Sequence, residues 1–533
     1  MKLSELIAAV PAATGHQIGD PEIIAVVEDS RLVTPGALFV ARRGREFDGH
    51  AFMRAAMQAG AVAIVGELGE DQLSEACGNL SVPYVQVPEG AAAVGYMAAA
   101  LHGFPARRLV MIGVTGTDGK TTTCNLIHGV LRAAGIPAGL ITTVNAVIGD
   151  ELMDTGFHVT TPDAAAVQSL LERMVAAGMT HCVLEVTSHG LAQQRVVACE
   201  FDLAVVTNIT HEHLDYHGSL ADYLQAKATL FESLASSMLK GGVRKLAVLN
   251  RDDDQSYEYL RERLQVDCVD YGLQLATSVR AENVRSYGMG NRFDVYTDGE
   301  RFSVETALAG EYNVANCLAA IAATRKGLGL PIKAIQVGIS TMSAIPGRME
   351  RIDLGQDFEA VVDFAHTPNS LRAILRAVRK KSVGRIIVVF GSAGLRDVAK
   401  RSWMGSVAAE LADITVITAE DPRTESLAAI MAEIAAGCAE MGGVEGDTFW
   451  QLADRNEAIR FAVDLAASCD VVLACGKGQE QSMCFGAVEY PWDDRVAMRA
   501  AVAARLGQAA PSPPVLPTAT AFAERSDLEM NDG

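Results

Sequence analysis

One stretch, Val110-Met111-Ile112-Gly113-Val114-Thr115-Gly116-Thr117-Asp118-Gly119-Lys120-Thr121-Thr122-Thr123, constrains this chain more than any other. Its apolar half predicts a buried strand, its middle a tight turn, and Lys120 onward a helix that Gly135 and Pro137 end. Gly116 and Gly119 let backbone N–H groups approach an anion closely. Lys120 supplies a point charge for outer phosphates, and the Thr121 hydroxyl can hold Mg²⁺ beside the positive end of the new helix. The strict phosphate-loop pattern would have glycine where Val114 stands. The strand before the turn and the Lys-Thr that opens a helix after it still argue for a phosphate site, and ATP is the expected ligand. Strand–helix units of this kind imply an α/β fold, and 533 residues suit about three domains.

A formal charge of −20 argues against a general nucleic-acid binder but leaves room for a small anion gripped by local arginines. No apolar run reaches the roughly 18 residues of a membrane span. The first residues lack a basic-then-apolar leader. A cytoplasmic protein without stable membrane insertion, acting as a monomer, is expected. Ten irregularly spaced cysteines without a Cys-x-x-Cys pair argue for reduced thiols rather than zinc or disulfides.

Residues 1–103 are expected to form a small α/β domain around the strand Ala37–Ala41. Arg42, Arg43 and Arg45 follow it. They could grip a diphosphate, but the charge pattern alone favours a solvated loop. Residues 104–344 should form a mostly parallel, doubly wound sheet, whose ligands belong beyond the strand C-termini. There the strand His181–Val186 ends in Glu185, a carboxylate among apolar residues. Such a group reaches a metal or faces solvent at a sheet edge, and the metal is favoured. The next strand, Asp202–Thr207, empties into a loop carrying His211, His213 and His217, without zinc spacing. On the helix from Ala221 to Leu234, Lys227 shares the apolar stripe of Tyr223, Leu230 and Phe231. It must snorkel out or lose its charge. A neutral amine could take up CO₂ as a carbamate, but spacing alone favours snorkelling.

Residues 255–308 alternate short polar and apolar runs and predict β structure. Residues 345–508 should form a second, Rossmann-like parallel sheet with strands at Ala360–Phe364, Arg385–Phe390, Ile414–Thr418 and Val471–Cys475. From Ala509 to Gly533 the Pro-Ser-Pro-Pro run and later acidic residues predict a disordered tail.

The order of Gly116–Thr122, Glu185–Arg195, Asn208–His217, Tyr223–Phe231, Pro346–Arg351, Asp363–Pro368 and Gly476–Glu480 closely resembles that of the Mur ligase family, from residue 1 to about 506. Asp29-Ser30-Arg31 and Asp48-Gly49-His50 match too. The resemblance implies a UDP-sugar domain, an ATPase domain and an amino-acid domain. It further implies ATP-driven amide formation on UDP-N-acetylmuramoyl-L-alanyl-D-glutamate in peptidoglycan precursor synthesis, adding a third, diamino acid. By position it places Gly116, Thr117, Asp118, Gly119, Lys120, Thr121, Thr122, Asn313, Arg348 and His366 on ATP. Thr121, Glu185, His213 and Lys227, the last as a carbamate, fall on Mg²⁺. Lys120, Lys227, His213 and Glu185 become the catalytic set. Ser30, Thr160, Thr161, Thr187, Gln193 and Arg195 fall on the UDP-muramoyl peptide. Arg396, Asp421, Arg423, Gly476 and Glu480 surround the incoming amino acid.

Three departures concern that amino acid. Leu395 replaces an acidic residue, Gln479 replaces a histidine, and Glu420-Asp421-Pro422-Arg423 stands for Asp-Asn-Pro-Arg. Arg423 suits the distal carboxylate of meso-diaminopimelate, which is favoured. Asp421 would welcome the bare ammonium of lysine or ornithine, the alternatives; pairing with Arg423, it would serve neither. A folylpolyglutamate synthetase-like ligase and a regulatory phosphate-loop ATPase without ligase activity are remoter readings. The first lacks a use for the UDP-site residues, and the second has none for Lys227.

Overall fold

In the computed structural model the described residues are 1–16, 19–44, 47–77, 80–153, 161–210, 214–273, 277–287, 290–342 and 345–519. Among them the chain builds sheets of five, eleven and six strands and one two-stranded hairpin. The five-stranded sheet runs from Thr14–His16 to Tyr84–Gln86 in sequence and centres on Ala37–Ala41 and Ala63–Gly66.

The eleven-stranded sheet holds the phosphate turn. Val110–Thr115 lies between His181–Glu185 and Leu203–Val206, parallel to both. A strand buried on both faces needs apolar residues at every position, and this one alternates its targets. Ile112 and Val114 pack with Cys124, Leu126, Ile127 and the helices Glu311–Ile321 and Ile332–Ser340. Met111 packs on the opposite face with Leu230, Phe231 and Leu234 of the helix Leu220–Ser236. Each such fully buried aliphatic side chain contributes about 2 kcal/mol relative to exposure. The sheet is parallel through its middle and antiparallel at both ends, where Ala146–Ile148 with Glu151–Met153 and Gly290–Thr297 with Glu300–Thr306 add hairpins.

The six-stranded sheet puts Glu359–Asp363, Val471–Cys475, Ile386–Phe390 and Ile414–Ile417 side by side and parallel. Their C-terminal ends therefore share one edge of the layer.

Three expectations change. Residues 254–261 form a helix rather than strand, because Asp253 caps it by accepting from the Ser256 N–H and Tyr257 and Leu260 bury one face. The hairpin Ser482–Phe485 with Val488–Pro491 went unforeseen. The tail expected from Ala509 onward packs on the third sheet as far as residue 519. Leu516 is buried beside Ile352 and Phe358, and the Thr518 hydroxyl donates to Asp454 at 2.9 Å. The rest of the tail lies outside the described residues. Among the described residues no helix is long and apolar enough to cross a membrane.

Candidate active site

The phosphate turn is shaped by its glycines and held through its peptide groups by Thr207, Asn208 and Lys227. Gly116 has φ +150°, and a Cβ there would sit 1.9 Å from the Thr207 hydroxyl; one on Gly119, at φ +83°, would strike the Asn316 amide at 2.3 Å. Only glycine fits either place. The Thr117 N–H donates to the Asn208 carbonyl at 2.7 Å, and the Asp118 N–H to the Asn208 side chain at 3.0 Å. Lys120 opens the helix Lys120–Ala133, and its ammonium donates to the Thr117 carbonyl at 2.7 Å.

Glu185 lies in the interior of the sheet, 1% exposed, between the turn's strand and Ala138–Ile141, so it faces no solvent edge. A carboxylate so buried needs donors. It has the Thr121 hydroxyl at 2.9 Å, the Thr143 hydroxyl at 3.0 Å and the Thr143 N–H at 3.1 Å. Lys227 corrects the expectation drawn from spacing. It does not snorkel: it is 1% exposed, donates to the Gly116 carbonyl at 2.7 Å and lies over the Tyr223 ring, 4.5 Å from its centre. The stripe it occupies turns toward the turn's backbone rather than toward bulk solvent. His213 and Thr160 lie outside the described residues.

Across from the turn stand the strand ends of the third sheet. Arg348 lies over Phe364, 4.4 Å from its centre, and reaches the Thr121 hydroxyl at 3.5 Å. Lys477, fully buried, joins Asp421 at 3.0 Å to Glu480 at 2.5 Å. Burial opposes its charge, but Glu480 and Asp421 together hold the ammonium above its usual range. Asp421 also accepts from the Cys484 N–H at 2.9 Å. Asp421 and Arg423 have left-handed backbones, φ +41° and +53°, a costly conformation outside glycine. The hairpin pins Arg423 there, with Cys484 accepting from its N–H and Gly486 donating to its carbonyl. Among the described residues no carboxylate pairs with the Arg423 guanidinium.

A cavity of about 180 Å³ separates the two edges. Thr117 to Thr121, Thr143, Glu185 and Thr187 line one side; Arg348, His366, Arg396, Asp421, Arg423, Gly476 and Glu480 line the other. Glu420, the first residue of the Glu420–Arg423 stretch, lines it too, as does Lys400, which had not been foreseen. Burial pushes the Glu420 carboxyl up, against the pull of Lys400 and Arg455. A second cleft of about 250 Å³ is lined by Gly119, Thr122, Asn313, Tyr312 and Arg348. The expected ATP residues thus divide: Asn313 lies in this cleft, His366 in the first cavity, and Arg348 in both.

Of the expected UDP-muramoyl residues that are described, Thr161, Thr187, Gln193 and Arg195 lie in the second domain and Ser30 lies apart in the first. The Thr161 and Thr187 hydroxyls lie 3.1 Å apart, Arg195 donates to the Thr161 carbonyl at 2.7 Å, and Gln193 donates to the Tyr216 hydroxyl at 3.3 Å. Ser30 lines a separate pocket of about 500 Å³ in the first domain, with Arg42 and Phe47. Arg42 is not the free arginine of a solvated loop: it donates to Glu28 at 2.5 Å. Thr143 follows a strand end, so the rule that found Glu185 could have found it. Lys400 sits inside a helix and gave no such signal.

Two opposed sheet edges, one a glycine-rich turn that opens a helix and the other a charged cradle, define an α/β protein with one cavity between two of its sheets. Family models match in series: "Mur ligase family, catalytic domain" over 22–101, "Mur ligase middle domain" over 114–324 and "Mur ligase, glutamate ligase domain" over 347–478. The chain is 41% identical to a UDP-N-acetylmuramyl-tripeptide synthetase of Roseiflexus sp. (strain RS-1), covering 94% of this chain and 99% of that one. It is 40% identical to a UDP-N-acetylmuramoyl-L-alanyl-D-glutamate–2,6-diaminopimelate ligase of Geobacillus thermodenitrificans (strain NG80-2), covering 95% and 100%. A solved structure of a ligase with that same name superposes with a TM-score of 0.62 at 29% identity, covering 91% of this chain and 95% of that one. The chain belongs to the Mur ligase family.

Proposed function

We propose that this chain is an ATP-dependent ligase that joins an amino group of meso-diaminopimelate to a carboxylate of the D-glutamyl residue of UDP-N-acetylmuramoyl-L-alanyl-D-glutamate. The observation that carries this is the shared cavity, in which the phosphate turn faces Arg423 and its neighbours. The names of the relatives support the same reaction.

The chemistry follows from the residues. A carboxylate does not react with an amine in water at a useful rate, so it must first be activated. Transfer of the γ-phosphoryl group of ATP to the carboxylate gives an acyl phosphate and ADP. The amine then attacks the acyl carbon and phosphate leaves. The turn's N–H groups and Lys120 hold the phosphates, with Lys120 exchanging the Thr117 carbonyl for a phosphate oxygen. Arg348 extends that grip from the third domain, which ties reaction to closure between domains. Thr161, Thr187, Gln193 and Arg195 hold the peptide end of the UDP-muramoyl substrate, and Ser30 holds its far end.

The Thr121 hydroxyl and the Glu185 carboxylate, 2.9 Å apart, are hard oxygen donors and fit Mg²⁺. Mg²⁺ held by them, with His213 and Lys227 as a carbamate, supplies neutralisation of phosphate charge. Asp421 is already held by Lys477, so it offers less to a bare ammonium than its sequence position suggests. Arg423 keeps its fork for a carboxylate, which favours meso-diaminopimelate over lysine and ornithine.

By the same reading, residues 1–103 bind the UDP sugar, 104–344 hold ATP, 345–508 hold the amino acid, and the protein acts as a cytoplasmic monomer. The test is a mass measurement of the product after the UDP-muramoyl dipeptide, ATP and Mg²⁺ meet equal amounts of the three amino acids. The diaminopimelate adduct is expected. A lysine or ornithine adduct overturns the amino acid alone. Phosphate release independent of dipeptide and amino acid overturns the ligase.

A further inference from the structure

Arg455 lies outside the cavity and opens the helix Arg455–Leu465 with no exposed surface. A buried guanidinium is costly unless its donors are used, and here four contacts use them. Its Nε and Nη2 donate to the two oxygens of Asp494, each at 2.7 Å. Its Nη1 donates to the Ala419 carbonyl at 3.0 Å, and its Nη2 also reaches the Cys475 carbonyl at 2.7 Å. The Trp492 indole donates to Asp494 at 2.8 Å, which fixes the carboxylate that fixes the arginine.

The two carbonyls have a telling position. Ala419 immediately precedes Glu420-Asp421-Pro422-Arg423, and Cys475 immediately precedes Gly476-Lys477. Their strands, Ile414–Ile417 and Val471–Cys475, are not neighbours; Ile386–Phe390 runs between them. No ladder hydrogen bond joins them directly, and the pairing with Ile386–Phe390 stops at Ile417 and Ala474, short of Ala419 and Cys475. Arg455 does so from below the layer, while Lys477 joins Asp421 to Glu480 across the same gap from the cavity side. A lysine in place of Arg455 would keep the charge but could not serve both carbonyls and both carboxylate oxygens.

We propose that Arg455, oriented by Asp494 and Trp492, is a positioning residue that sets the spacing of the two loops gripping the incoming amino acid. This rests on the reading of the cavity given above. The effect should fall on amino-acid affinity, because the phosphate turn belongs to another sheet.

The test is steady-state kinetics of the full-length Arg455→Lys and Trp492→Phe variants, with each substrate varied in turn and melting temperature recorded. Arg455→Lys should raise the KM for the amino acid about tenfold or more, leaving those for ATP and the UDP-muramoyl dipeptide within about twofold. Trp492→Phe should move the same KM by about two- to threefold. A lowered melting temperature with an unmoved amino-acid KM overturns the proposal, as do three KM values rising together. If Arg455→Lys does not fold, Trp492→Phe decides by the same split. An inactive wild type sinks the ligase reading and this brace together. An active wild type with an unmoved KM in the variants sinks the brace alone.

Discussion

At Gly116–Thr121 the shape is carried by backbone groups: positive φ at two glycines, peptide groups of Gly116, Thr117 and Asp118 tied to Thr207, Asn208 and Lys227, and a helix that starts at Lys120. At Glu420–Arg423 and Gly476–Glu480 the shape is carried by side chains that meet across long stretches of sequence. Asp421 and Lys477 are 56 residues apart, and Arg455 and Asp494 are 39 apart. The first kind of site presents backbone groups, which a side-chain substitution within the turn leaves in place. The second is a set of mutual supports, in which one substitution is felt by several partners.

The difference predicts where a single residue matters most. Lys120→Ala removes the turn's own ammonium and disturbs no core. It should lower kcat/KM by about a thousandfold, roughly 4 kcal/mol of transition-state stabilisation, with an unchanged melting temperature. Activity within about tenfold of wild type would break the assignment of the turn to the reacting nucleotide.

This contrast also decides what was legible beforehand. Glycines, Lys120 and Thr121 lie within a few residues of one another, so pattern alone exposes them. Glu185 is legible because a carboxylate in an apolar strand demands a reason. Lys227 was legible as an anomaly but not in its contact, since the Gly116 carbonyl lies 111 residues away in sequence. The helix at 254–261 was hidden by its shortness and by polar residues on its open face, and Leu516 by the prolines around it. Nothing in the spacing of Asp421 and Lys477 says that one neutralises the other.

Arg423→Ala tests the cradle. Its guanidinium is free to meet a carboxylate bidentately, worth about 2–3 kcal/mol with charged partners. The KM for meso-diaminopimelate should rise about 30- to 100-fold, and turnover with lysine, where detectable, should change by less than about threefold. Equal losses for both amino acids would show that Arg423 shapes the loop rather than reads the distal carboxylate.

The smallest effect belongs to Thr143, which sits where the two kinds of site meet. Its hydroxyl and its N–H both donate to Glu185, one to each oxygen. The N–H survives any substitution, so Thr143→Val removes one hydrogen bond of two and keeps the side chain's shape. One such bond is worth about 1 kcal/mol net, close to a fivefold change in an equilibrium constant. That loss should appear as looser orientation of the carboxylate: about a fivefold higher half-saturating Mg²⁺ concentration, with kcat at saturating Mg²⁺ within about twofold. Thr143→Ser should restore the wild-type value, because it returns the hydroxyl and gives up only a methyl group. Direct titration with Mn²⁺, followed by its paramagnetic effect on water relaxation, gives the same quantity without turnover. If Thr143→Val binds the metal as tightly as wild type, the N–H alone orients Glu185, and the backbone governs this corner of the site as it governs the turn.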